Sequence, residues 1–286
     1  MAEIDLEKTA REMIRNGTWV FKDGTFYQAI RLSTGRVGIV AYDGDFHFPG
    51  DWGRRERKEA RDRLAFVLGL DTDLDSFYAE MSDSPFAFLI DEFYGLTVPA
   101  APSPYQALVE TIAQQQVSFE FAQRTIRNLV ELAGEPVGGI YAFPRPERIV
   151  SLSEEELKKA KLGYRAGYIK GLTELYLSGK LDLELWYWGV DDAIRYLTRF
   201  RGIGKWSAEL FLAYGLRKNV YPAGDLGLRR GIAKIFGKSV KEVKEKDVRE
   251  VIEPYGKWKG LLAFYVLCYD RKTELERKFK IQNRRS

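Results

Sequence analysis

Cysteine and histidine are almost absent from this chain of 286 residues, which holds one of each, Cys268 and His47. A single cysteine excludes an internal disulfide and a four-cysteine iron–sulfur cluster, and it argues for a reducing compartment. Cys268 lies in an apolar run and is expected to be buried. A single histidine excludes a multi-histidine metal site, and His47, in the N-terminal strand region, is assigned a structural role. No apolar run approaches the length that crosses a bilayer. The opening stretch, Met1 to Gly17, is charged rather than signal-like. Low-complexity tracts and long internal repeats are also missing. These absences lead to the expectation of a cytoplasmic protein without membrane contact, metal or cofactor.

What is present is an ordinary globular composition, 45% apolar, with a segregated charge. The formal net charge is +4, but residues 195–286 carry 23 Lys+Arg against 10 Asp+Glu, a balance of +13. Residues 1–194 carry 22 against 31, a balance of −9. A thermophile-like surface rich in both signs fits the 30% charged content, but it predicts mixing. Segregation predicts that a polyanion meets the C-terminal third. The basic tail Arg271–Ser286 reaches DNA or is a solvated end.

Two units are expected, an α/β sheet domain over residues 1–96 and a helical core over residues 97–286. In the first, Thr18–Phe21, Phe26–Leu32 and Val37–Tyr42 alternate as strands do. Asp23-Gly24, Ser33-Thr34-Gly35 and Asp43-Gly44 supply hairpin turns. The charged run Arg54–Arg63 leads into Leu64, Phe66, Val67 and Leu68 as an amphipathic helix. Thr97–Pro104 reads as the linker. Helical spacing follows throughout, apart from Pro/Gly breaks near Glu135–Pro146. The fold class is α+β.

The most informative stretch is Leu197 to Gly231. A turn, Gly202-Ile203-Gly204, separates one helical pattern (Ala193, Ile194, Leu197, Phe200) from another (Trp206, Leu210, Phe211, Tyr214). Glycine supplies backbone conformations that a Cβ resists, and it opens the N–H groups of the second helix to an anion. Lys205 adds positive charge beside them. Such a hairpin holds a phosphate without reading a base. An ordinary helix pair with a glycine turn has the same pattern. Further on, Pro222-Ala223-Gly224 leads to Asp225 at the start of a helix, where it is an N-cap, a catalytic carboxylate, or both.

These residues resemble the helix-hairpin-helix, Gly/Pro-Asp (HhH-GPD) signature of the DNA glycosylase superfamily. That pattern, Leu-x-x-x-x-Gly-Ile-Gly-x-x-x-Ala and a later Pro-x-x-Asp, is met by Leu197, Gly202, Ile203, Gly204, Ala208, Pro222 and Asp225. Tyr105 to Ser118 is similar to the family's Gln-Gln-x-Ser segment, and Leu162 to Ile169 to its Gly-x-x-x-Lys-Ala-x-x-Ile stretch. In the latter, Arg165 and Gly167 occupy the positions loosely. The resemblance spans Pro104 to about Asp270 and is to the 3-methyladenine DNA glycosylase II (AlkA) type. It implies a small N-terminal antiparallel sheet, two helical lobes with the active site between them, a monomer, and duplex DNA containing a damaged base as partner.

It also implies roles. Gly202, Ile203, Gly204, Lys205 and Ser207, with Gln115 and Gln116, contact DNA. Gln116 fills the stack after the damaged base is rotated out. Asp225 is the catalytic carboxylate. Members that also cut the strand carry a lysine where this chain has Trp206, so a single-function, water-using reaction is expected. Trp206 then walls the base pocket, and Trp258 is either a second wall or a core residue. Leu210 and Leu226 stand where some members have tyrosine, which leaves base preference open. The alternatives are an 8-oxoguanine glycosylase/lyase of the same fold and a noncatalytic hairpin DNA-binding protein.

Overall fold

The computed structural model describes residues 2–282, with side chains through residue 277. Lys278, Lys280, Arg284 and Arg285 of the basic tail therefore lie outside the described side chains. Helix α1 (Leu6–Glu12), capped by Asp5, precedes a four-stranded antiparallel sheet in simple up-and-down order. Its strands are β1 (Trp19–Lys22), β2 (Thr25–Arg31), β3 (Val37–Tyr42) and β4 (Phe46–His47). Asp23 and Gly24 both take positive φ, 52° and 79°, as a two-residue hairpin turn with matching twist requires. Helix α2 (Arg54–Leu68) buries Ala60, Leu64, Val67 and Leu68 against Phe26, Ile30 and Val40 of the sheet.

The helices form two further cores. Helices α3 (Leu74–Met81) and α4 (Ala87–Glu92) come next in the chain. They do not pack with the sheet, although the sequence places them in the first unit. Phe77, Met81, Phe86 and Leu89 share a core with Leu228, Ile232, Val248, Leu262 and Tyr265, nearly 200 residues on at the most distant. We accordingly place the end of the sheet unit near Leu68. The expected linker is not a solvated tether either: Ala100 and Ala101 are fully buried. Their amides donate to the carbonyls of Val67 and Tyr214.

The first helical lobe holds α5 (Pro104–Ala113), α6 (Phe119–Ala133), α7 (Pro146–Ser151), α8 (Glu154–Lys159), α9 (Arg165–Leu177), α10 (Val190–Leu197) and α11 (Lys205–Leu216). Inside the Pro/Gly break lies a second hairpin, β5 (Glu135–Val137) and β6 (Ile140–Ala142), turning on Gly138 and Gly139. It abuts the N-terminal sheet through an Arg31–Glu135 ion pair of 2.8 Å. The chain then returns to the second lobe with α12 (Leu226–Ile235), α13 (Glu245–Ile252), a 3-10 turn (Glu253–Trp258) and α14 (Lys259–Gln282). Cys268 is buried there, as expected, and His47 is exposed and bonded to Asp43.

A buried carboxyl ties the sheet unit to the first lobe. Glu110 of α5 accepts hydrogen bonds from Asn16 (2.6 Å), Gln106 (3.0 Å) and the Tyr214 hydroxyl (2.6 Å). Burial without a cation pushes its carboxyl above the ordinary range, the three donors opposing. The folded protein thus holds this proton to higher pH than the unfolded chain, and stability falls as pH rises between the two. Glu110→Gln keeps two acceptor contacts and turns its amide toward Tyr214. Its melting temperature is expected to lose that decline, so the advantage over the wild type grows from pH 5 to 8. Thermal unfolding across about this pH range checks it.

Candidate active site

The glycine hairpin is built from the lobe's core outward. Ala193 and Leu197 bury one face of α10, and Ile203, 4% exposed, pins the turn to the same core. Gly202 has φ +96°, and a Cβ there would lie 2.8 Å from Tyr168 Cγ. Gly204 is the N-cap of α11, where a Cβ would meet nothing within 4 Å. The first amides of α11 are therefore open to an approaching anion, and the helix dipole favours one.

Lys205, beside the turn, already has a partner. Its ammonium pairs with Glu245 at 2.5 Å and lies off the groove. Glu245 also bonds Arg249, and the Lys205 bond leads the effects that hold its carboxyl below the usual range.

Asp225 is an N-cap, and its second oxygen has a separate partner. Oδ1 accepts from the amides of Gly227 (2.7 Å) and Leu228 (3.3 Å), the first turn of α12. Oδ2 accepts from the indole Nε1 of Trp206 at 2.9 Å. The carboxylate is thus held from both sides, half-buried, between α11 and α12. It faces a groove of about 2440 Å³ between the two lobes, which Gly204, Trp206, Leu210 and Leu226 also line. Leu226 is 54% exposed there.

Gln116 reaches the same groove from the end of α5 and is exposed. Its φ of +53° is rare for a residue with a side chain, and such strain gathers at functional sites. Gln115 and Ser207 also line the groove, bonded to each other and to the turn. The Gln115 amide donates to the Gly202 carbonyl (2.7 Å) and the Ser207 hydroxyl (2.9 Å), and Ser207 is buried. These two brace the hairpin. Trp258 is not a pocket wall: its ring packs 5.7 Å from Phe77 in the second lobe's core, with the Lys257 ammonium 4.7 Å over it. An aromatic residue before an apolar run suits either role, and the core has taken it.

Other residues line the groove as well. Tyr164 donates to Gln116 Oε1 at 3.4 Å and meets Tyr168 edge-on. Arg230 grips the buried carboxylate of Asp270 through two nitrogens, 40 residues away in sequence. Arg271 and Lys272, the start of the basic tail, pair with Glu12 and Glu92 of the acidic part of the chain.

A hairpin that offers free amides, a carboxylate capping the helix beyond it, and a groove between two helical lobes define a helix-hairpin-helix nucleic-acid fold. The family model described as "HhH-GPD superfamily base excision DNA repair protein" matches residues 109–256, more than half of the chain. The chain belongs to this superfamily. It is similar to a DNA-3-methyladenine glycosylase of Bacillus subtilis (strain 168), 32% identical over 236 residues, covering 80% of this chain and 77% of that one. Among solved structures it is similar to the 3-methyladenine DNA-glycosylase of Archaeoglobus fulgidus, at 30% identity and a TM-score of 0.83, over 94% and 96% of the two chains. The 8-oxoguanine glycosylase/lyase of Clostridium acetobutylicum, at 19% identity and a TM-score of 0.78 over 96% and 94%, shares the fold.

Proposed function

We propose that this protein is a monofunctional DNA glycosylase of base excision repair, which hydrolyses the N-glycosidic bond of alkylated purines in duplex DNA. The observation that carries the reading is Asp225, a groove-lining carboxylate at the start of α12 whose second oxygen is bonded to an indole where a strand-cutting enzyme needs an amine. The names of its relatives, 3-methyladenine glycosylases, support the same substrate class.

The amides at Gly204 hold a backbone phosphate. Gln116 enters the stack, and the damaged nucleotide rotates out into the groove beside Trp206 and Leu210. As the C1′–N bond breaks, its electron pair leaves with the base. The Asp225 carboxylate stabilises the positive charge that develops on the sugar, and water adds to C1′, giving up a proton to solvent. Glycosidases normally need a second carboxyl as general acid. An N-alkylated purine already carries positive charge and departs with little protonation, so one carboxylate suffices. Acting on genomic DNA places the protein inside the cell.

The test is chromatography of the bases released from methylated duplex DNA, with borohydride present in a parallel sample. Free methylpurines, intact strands and no trapped protein–DNA adduct are expected. Adduct formation on 8-oxoguanine DNA would move the assignment to a glycosylase/lyase, and no release from any damaged DNA to a binding protein.

A further inference from the structure

We propose that Gln115 is a positioning residue that couples phosphate capture at the hairpin to insertion of Gln116 into the base stack. The inference rests on the functional reading above and goes beyond it, because Gln115 touches no reacting atom.

A primary amide nitrogen has two hydrogens. Both hydrogens of Gln115 Nε2 are engaged on the hairpin, one by the Gly202 carbonyl at 2.7 Å, the other by the Ser207 hydroxyl at 2.9 Å. These acceptors flank the site where the α11 amides meet a phosphate, one in the turn and one in the first helical turn. The backbone of Gln115 is held as well. Its carbonyl accepts from Nη1 of Arg165, a buried side chain at the start of α9, at 3.1 Å. The next residue is Gln116, exposed to the groove in the left-handed conformation.

The residue that enters DNA is thus joined by one peptide bond to a residue fixed on the phosphate grip. The planar peptide fixes the Gln116 amide relative to the Gln115 carbonyl, which Arg165 holds. An exposed glutamine on a helix end would otherwise sample many rotamers and backbone states, and ordering it costs free energy at the moment of insertion. Held in advance by Gln115, the wedge meets the duplex in register with the captured phosphate. This matters most where the lesion is still paired and stacked, because extrusion then costs most.

The experiment compares wild type and Gln115→Leu, which keeps bulk and removes both donors, on two duplexes. One holds 7-methylguanine opposite cytosine, the other the same base opposite an abasic analogue, where no pair must be broken. Single-turnover release is measured on each. The expected result is a fall of about tenfold in the paired-to-unpaired rate ratio, since extrusion from an intact pair is the step affected. Ser207→Ala, which removes one of the two acceptors, is expected to lower the ratio by less, and it serves if Gln115→Leu does not fold. Equal losses on both duplexes, as a merely structural role predicts, or an unchanged ratio in both variants would overturn the proposal. Wild-type protein silent on both duplexes would overturn the functional reading and the inference with it.

Discussion

Asp225→Asn is expected to fold, to bind duplex DNA as the wild type does, and to release methylpurines roughly 10²- to 10³-fold more slowly. The fold survives because asparagine is as good an N-cap as aspartate. Its side-chain oxygen can still accept from Gly227 and Leu228, the partners of Asp225 Oδ1. Binding survives if, as proposed, the phosphate contacts belong to the hairpin amides, which the substitution leaves in place. What disappears is the negative charge. A neutral amide cannot offset the cation that forms at C1′, and in a groove closed by DNA that interaction is poorly screened. The Trp206 N–H would also face an amide nitrogen in place of Oδ2.

Asp225→Ala separates the two duties of the residue. It should lose the same catalysis and, in addition, about 1 kcal/mol of helix stability, because the cap acceptor is gone. Single-turnover release, DNA affinity by anisotropy, and thermal unfolding read the three quantities independently. Normal base release by Asp225→Asn would remove Asp225 from the centre of the reaction.

The sequence disclosed what is local. Alternation and turn residues placed β1 to β3 within a residue, and the two-residue Asp23-Gly24 turn fixes the register of β1 on β2. The hairpin and Asp225 were legible because glycine at a positive φ and an acid before a helix are backbone demands. What escaped notice depends on partners distant in sequence. Lys205 looked free until Glu245, 40 residues on, took its charge. Helices α3 and α4 followed the sheet in sequence, but their apolar faces fit α12 and α14. The short β5–β6 hairpin was hidden because a Pro/Gly break looks alike whether it closes a loop or a two-stranded turn. The charge count could not show that Arg271 and Lys272 of the basic third pair with acids of the acidic part. Gln115 and Gln116 are adjacent and identical in type. The backbone reversal to φ +53° at Gln116 sends one inward and the other out, and no spacing rule reveals it.

Trp206→Phe is the second large effect, and it divides the roles of the indole. Phenylalanine keeps an aromatic face for the extruded base and deletes the N–H that meets Asp225 Oδ2 at 2.9 Å. A hydrogen bond to a charged group contributes about 1.5–3 kcal/mol. If the bond holds Asp225 in place for the developing cation, its loss lowers base release roughly tenfold or more, with affinity for abasic-analogue DNA unchanged. Trp206→Ala also removes the stacking face. Base–aromatic stacking is worth about 1–3 kcal/mol, so this variant should fall a further tenfold or so and bind lesion DNA more weakly. The order wild type, Phe, Ala in rate, with only Ala losing affinity, is the signature of an indole that both holds the carboxylate and walls the pocket. Equal rates for wild type and Phe would leave Trp206 as a wall alone. Asp225 would then be positioned by its cap on α12, and the residue at the lysine position would matter for its shape and not for its N–H.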